Sequence, residues 1–156
     1  MLNENQPRQP IQLLVVVLNY RTADLTIDCL RSLKNEVESL AGTHVVVTDN
    51  ASGDGSVEKI RSAIDTHQWG NWVELMPLER NGGFAFGNNA AIRSYWEAGN
   101  LGPYVLLLNP DTVVRPGAIQ ALLDFMEQHP EVGIAGSRLE DPDGTPQHSA
   151  FRFISI

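Results

Sequence analysis

Apolar positions in this chain follow two rhythms. Ile11 to Leu18 is a nearly continuous apolar run rich in β-branched residues, the pattern of a strand buried on both faces. From Thr22 to Leu33 the rhythm changes, and Leu25, Cys29, Leu30 and Leu33 recur at helical spacing, with Thr22 or Asp24 available as a cap. Val45 to Val47 predicts a second strand ending at Thr48-Asp49-Asn50. A turn through Ala51 to Ser56 follows, then a helix with Val57, Ile60, Ala63 and Ile64 on its apolar face. Trp72 to Met76 reads as a third strand, Asn81-Gly82-Gly83 as a loop, and Phe86 to Trp96 as a helix closed by Gly99. Tyr104 to Leu108 predicts a fourth strand, broken by Pro110. Pro116 to Met126 predicts a helix with proline in its first turn. Val132 to Ala135 predicts a fifth strand, and Asp141-Pro142-Asp143-Gly144 a turn between two hairpin strands.

Strands alternating with helices argue for an α/β fold with a mostly parallel sheet and helices on both faces. In such folds ligands bind beyond the carboxyl ends of the strands. Polar residues gather at each of those ends: Asn19-Tyr20, Asp49-Asn50, Arg80 to Gly83, and Asn109-Pro110-Asp111.

Composition narrows the class. With 156 residues, 42% apolar and 19% charged, the chain is long enough for one domain with a real core. The longest aliphatic run, Leu13 to Leu18, suits a strand, whereas a membrane span needs about 20 residues. No charged-then-apolar segment opens the chain, so no secretory signal is expected. The first ten residues are polar, hold two prolines and read as a loose tail, which leaves 11–156 as the domain. A single cysteine, Cys29, excludes an intrachain disulfide and fits a reducing compartment; its helical setting predicts a small core residue. The net charge of -8 disfavours nucleic acid and anionic membranes as general partners. An anionic ligand stays compatible where a metal ion or backbone N–H groups supply positive potential.

Four places could carry chemistry. Asp111, after a buried strand, could share a magnesium or manganese ion with two phosphate oxygens and waters, or merely accept backbone N–H bonds in the turn after Pro110. Asp49, ending the second strand, could accept the ring N–H of a uracil or thymine, or form an Asx-turn. Asp54 and Ser52 are better placed to cap the next helix, which favours a free Asp49. The segment Asn81 to Asn89 combines three glycines and three amides, enough for close backbone approach to a ligand and for a helix N-terminus aimed at anionic oxygens. Arg80 could touch phosphate but reads more simply as a solvated residue. His44, His67, His129 and His148 have no metal-ligand spacing. Phe84 and Phe86 read as packing residues, and Trp69, Trp72 and Trp96 as structural.

Taken in order, Val15 to Tyr20, Val46 to Ser56, Asn81 to Asn89, Leu107 to Thr112 and Leu139 to Gly144 resemble the family-2 glycosyltransferases, in particular their bacterial rhamnosyltransferase-like branch. The resemblance covers nearly the whole chain from Ile11. It implies a Rossmann-like GT-A nucleotide-diphospho-sugar transferase fold. It also implies inverting transfer of a sugar from a UDP- or dTDP-sugar to a glycan or lipid-linked acceptor, as in cell-surface polysaccharide synthesis. The family's Asp-x-Asp motif falls on Asn109-Pro110-Asp111, leaving Asp111 to hold Mg2+ or Mn2+. Asp49 matches the base-reading acid, Asn19 and Tyr20 the nucleoside loop, and Asn81, Gly83 and Asn89 the loop beneath the donor. The family's catalytic base belongs to a later acidic segment expected beyond Ile156, because Asp141 and Asp143 are explained as turn formers. The C-terminal part of the fold is accordingly expected to be missing. Exposed apolar surface, homo-oligomerisation through it, and a cytoplasmic location or one at the inner face of the cell membrane are further expectations.

Three rivals remain. The first is a non-catalytic nucleotide-sugar-binding module of the same fold. A nicotinamide-dependent dehydrogenase would want a glycine fingerprint after the first strand, and Leu18 to Thr22 has none. A phosphoacceptor signalling domain would want an early acidic pair, which is also absent.

Overall fold

The computed structural model describes residues 11–147. Its elements, in chain order, are β1 (Leu13–Asn19), α1 (Ala23–Ser39), β2 (Thr43–Asp49), α2 (Ser56–Thr66), β3 (Val73–Pro77), α3 (Phe84–Glu97), β4 (Tyr104–Leu108) and α4 (Ala118–Gln128). The four strands form one parallel sheet in the order β3-β2-β1-β4. Parallel neighbours need a crossover between them, and a helix supplies each one. This is a Rossmann-like α/β architecture.

The continuous apolar run explains why β1 lies in the middle. Every residue from Leu13 to Asn19 is buried, which only a central strand covered on both faces allows. Side chains alternate across it. Leu14 and Val16 join Val46 of β2 and Ala91 and Tyr95 of α3 in one cluster. Leu13, Val15 and Val17 point to the other face and are also buried. There α1 and α2 pack on each other and on the strands, presenting Leu30, Leu33 and Ile60, each 0% exposed.

Topology then locates the crevice. The chain steps from β1 outward through β2 to β3, and β4 returns to the opposite side of β1. The strand order therefore reverses between β1 and β4, and such a switch point opens a cleft at the carboxyl ends. Register aligns those ends: Asn19 lies beside Asp49, Asp49 beside Pro77, and Val17 beside Leu108.

The chain divides into two compact units between Arg115 and Pro116. In the second, α4 starts after Gly117, which has a positive φ of 79°. The run Val132 to Ala135 is not a strand, contrary to the sequence expectation. Gly133 precedes Ile134 and Gly136 follows two residues later, Ile134 is 92% exposed, and no described strand lies alongside to complete a ladder. The expected hairpin is reduced to one antiparallel bridge, Glu140 with Pro146. Its turn is as expected, with the Gly144 amide donating to the Asp141 carbonyl at 2.8 Å. The N-terminal tail, His148 and the end of the chain lie outside the described residues. No helix among the described residues is long and apolar enough to cross a membrane.

Leu14 is 0% exposed at the centre of the α3 face. Leu14→Ala should cost about 3 kcal/mol of unfolding free energy, read as a lower urea midpoint with an unchanged slope.

Candidate functional site

At the ends of β1 and β2, Asn19 (0% exposed) and Asp49 (1% exposed) meet side by side. Asn19 Nδ2 donates to Asp49 Oδ2 at 2.6 Å and to Ser52 Oγ at 3.2 Å. Its Oδ1 accepts from the Thr22 amide (3.3 Å), the Thr22 hydroxyl (3.1 Å) and the Thr26 hydroxyl (2.9 Å). Only an amide offers donors at one end and an acceptor at the other; an Asp here would set carboxylate against carboxylate. Asn19 thus organises the first turn of α1, where the Thr22 side chain makes no capping bond of its own.

Asp49 is as heavily engaged. Its Oδ1 accepts from the Ser52 amide at 3.0 Å, and its Oδ2 from the Ser52 hydroxyl at 2.6 Å. Ser52 Oγ in turn accepts the Arg21 amide at 2.9 Å, and Arg21 Nε donates to the Ser52 carbonyl at 3.1 Å. The Arg21 guanidinium lies 5.2 Å from the ring centroid of Tyr20, which is 42% exposed. The two loops are therefore laced together. The expected division of labour is half met. Asp54 Oδ1 does take the Ser56 amide at 3.1 Å at the start of α2, and the Ser56 hydroxyl bond draws its carboxyl below the usual range. Ser52 turns back instead and occupies Asp49.

Both loops carry left-handed backbone on residues that disfavour it, Arg21 at φ 59° and Ala51 at φ 56°. Such conformations cost on the order of 1–3 kcal/mol each and persist where the surroundings over-determine them. Here the bonds of Asn19, Asp49 and Ser52 do so.

The glycine loop is tied in by Asn50. Its Nδ2 donates to Asn81 Oδ1 (2.8 Å) and to the Gly83 carbonyl (3.3 Å), while its Oδ1 accepts the Gly82 amide (3.2 Å). Two glycines are required there. Gly83 has φ 86° and ψ -178°, a region essentially confined to glycine. A Cβ on Gly82 would meet the Phe86 ring at 2.2 Å. Immediately afterwards α3 begins with no side-chain cap and no acid in its first turn, so its initial amides carry uncompensated positive potential.

Not every expected residue joins this assembly. Asn89 is exposed and shares a shallow depression of about 120 Å3 with Phe86, Ala90 and Arg93. Asn88 is the buried amide, donating to the Phe84 carbonyl at 2.9 Å. Arg80 is exposed, as expected, and its guanidinium also sits 4.8 Å from the Phe86 ring centroid. Phe84 is 57% exposed and Trp96 73%, so neither is a core residue, whereas Trp69 and Trp72 are buried.

On the far side of the crevice, Asn109 and Asp111 follow β4, both exposed. Beneath them lies Cys29, whose Sγ donates to the Asn109 carbonyl at 3.8 Å. Burial, aided by the charge of Asp111, pushes its thiol up from 9.0 to about 12, so it stays protonated. Asp111 is the carboxylate on this loop, and the described residues contain no group of three or more His, Cys, Asp or Glu able to hold a metal. A lone oxygen ligand fits a hard cation that shares an anionic ligand's oxygens. It does not fit a resident zinc, which wants three or four protein ligands.

A cavity of about 510 Å3 opens at the opposite, amino ends of the strands, lined in part by His44, Glu74 and Tyr95. It lies away from the switch point and the start of α3, which makes the carboxyl end the better candidate. Sequence reasoning placed Asn50 at a strand end and Ser52 at a helix cap without their lacing roles, and missed Arg21. Asn50 and Ser52 had a signal, being short polar side chains that readily bond backbone at a strand end; Arg21 had none.

A family model described as Glycosyl transferase family 2 matches residues 14–152. An N-acetylglucosaminyl-diphospho-decaprenol L-rhamnosyltransferase of Mycobacterium tuberculosis is 33% identical over 118 residues, covering 72% of this chain and 36% of its own. The chain thus spans about a third of that relative's length. Among solved structures, the mannosyltransferase PcManGT from Pyrobaculum calidifontis, in complex with GDP-Man and Mn2+, matches with a TM-score of 0.67 at 21% identity, covering 87% of this chain and 37% of that one. S. aureus TarS 1-349 in complex with UDP-GlcNAc matches with a TM-score of 0.56 at 22% identity, covering 76% and 32%. At such identities the likeness shows the shared GT-A fold.

The packing beneath Asn109 makes a pH prediction. The folded state keeps a Cys29 proton that the unfolded state releases near pH 9, so this contribution is intact below about pH 9 and lost as pH rises toward about 12. Iodoacetamide at pH 8.5 should leave Cys29 unmodified in native protein and modify it fully in urea, as read by mass spectrometry.

Proposed function

The chain belongs to glycosyl transferase family 2, and from that premise we propose that its crevice binds the nucleoside diphosphate of a UDP- or dTDP-sugar together with Mg2+ or Mn2+. The observation that carries this reading is convergence. The loops after β1, β2 and β3 are hydrogen-bonded into one floor through Asn19, Asn50 and Ser52. Topology sets Asp111 across the switch point from them.

In this reading the loop of Asn19 and Tyr20 wraps the nucleoside, with Tyr20 exposed toward it and the buried Asn19 holding the loop in place. Asp49 receives the ring N–H of the base on Oδ1, which carries one hydrogen bond and so keeps acceptor capacity. Its 1% exposure means that the Ala51–Ser52 segment must shift to admit the base. Asn81, Gly83 and Asn89 lie beneath the donor, where the start of α3 offers amides to anionic oxygens. Asn109 and Asp111 face the diphosphate, and Asp111 holds the metal, with phosphate oxygens and waters completing its shell. When bound, the metal neutralises charge on the leaving diphosphate.

The reaction we propose for the whole protein is a single displacement with inversion. An acceptor hydroxyl oxygen bonds to the anomeric carbon, the carbon–oxygen bond to the diphosphate breaks, and a carboxylate takes the hydroxyl proton. Among the described residues Asp141 and Asp143 are poor choices for that base. Asp141 accepts from the Gln147 side chain, and hydrogen bonds from Thr145 hold Asp143 below the usual carboxylate range. The relative's name specifies a diphospho-decaprenol acceptor, which supports a glycan or lipid-linked acceptor here; work at the inner face of the cell membrane is part of the same proposal. Val105 and Leu107, 38% and 47% exposed on β4, support self-association through an apolar face.

Calorimetric titration of UDP and dTDP, with and without Mn2+, tests the donor site. Binding should be at least about tenfold tighter with the metal, and Asp111→Ala should lose that gain. Equal binding by the variant would remove Asp111 from the site.

A further inference from the structure

Asp111 presents a difficulty that the rest of the molecule resolves. Its carboxylate is exposed and accepts no hydrogen bond among the described residues, so nothing holds the side chain directly. A ligand must nevertheless be held closely for the chemistry a metal supports. The orientation has to come from the backbone on either side.

That backbone is pinned to α1. Upstream, the Asn109 carbonyl receives the Cys29 thiol at 3.8 Å and the Thr112 amide at 3.2 Å. Downstream, the Val114 amide donates to Ser32 Oγ at 2.9 Å. Cys29 and Ser32 are three residues apart on α1 and therefore present the same face. The two are coupled as well: Ser32 Oγ donates to the Cys29 carbonyl at 2.7 Å, which spends its proton and leaves its lone pairs for Val114. Both tethers span about half the chain in sequence, joining residues 80 and 82 positions apart. Between them lie only Pro110 to Val113, with Asp111 in the middle.

We propose that Ser32, assisted by Cys29, is a positioning residue that fixes the Asn109–Val114 loop so that Asp111 is presented to the donor's divalent metal. The inference rests on Asp111 being the metal ligand. It assigns to α1, which touches no ligand in the proposed function, the task of setting metal affinity.

The test uses Ser32→Ala, Ser32→Thr and Asp111→Ala beside the wild type. Three quantities are measured: Mn2+ affinity in the presence of UDP, UDP affinity without metal, and amide hydrogen exchange at Val114. For Ser32→Ala we expect Mn2+ affinity to fall about tenfold, metal-free UDP affinity to stay unchanged, and Val114 to exchange at least about tenfold faster. Ser32→Thr, which keeps the hydroxyl, should restore both the Mn2+ affinity and the slow exchange at Val114. Unchanged exchange at Val114 would overturn the tether, whatever the ligand does. Unchanged Mn2+ affinity in Ser32→Ala, with binding abolished in Asp111→Ala, would overturn the positioning role alone. A parallel loss of metal-free UDP affinity with a lowered Tm would reduce Ser32 to a structural residue. Intact Mn2+ binding in Asp111→Ala would instead sink the metal-ligand reading.

Discussion

The contact between Asn19 and Asp49, 2.6 Å long and shut away from solvent, is the constraint on which the site depends. Two parallel strands end together, and each must release its chain in a different direction. A buried carboxylate there is costly unless its oxygens are satisfied. Asn19 and Ser52 supply the donors, and in doing so they fasten the β1 loop to the β2 loop. The same amide orders the entry to α1 through Thr22 and Thr26. Polar groups that would be a liability in the core become the frame of the crevice.

From that frame the rest follows outward. Arg21 and Ala51 are held in left-handed backbone by the hydrogen bonds through Ser52 and Asp49 that tie the two loops together. Asn50 extends the lacing to the glycine turn, and Gly83 lets α3 start with its amides free. On the other side of β1, α1 reaches under the Asp111 loop through Cys29 and Ser32. One helix is thus ordered at its start by Asn19 and anchors the opposite wall with its middle. An anionic ligand with a hard cation suits such a place, since the floor offers amide hydrogens and the wall offers a carboxylate.

Much of this was legible in the residues. The unbroken run of β1 identified the central strand, and the alternation of rhythms identified a parallel sheet. Ligand-facing positions were legible because polar residues interrupt apolar runs at each strand end. The weak points were positions decided by long-range packing. Val132 to Ala135 has strand composition but no neighbour to pair with. Asp49 was legible as important, yet its occupation by Ser52 was not, because that depends on how tightly the loop turns. The roles of Arg21 and Ser32 depend on which segments, distant in sequence, the fold brings together. Local patterns carry no mark of that.

Amide chemical-shift mapping of the titration with UDP and Mn2+ tests the central claim most directly. The account predicts the largest changes at Asn19–Thr22, Asn50–Ser52, Gly82–Phe84 and Asn109–Thr112, with the amino ends of the strands undisturbed. Changes concentrated around His44, Glu74 and Tyr95, with the strand-end loops silent, would contradict it.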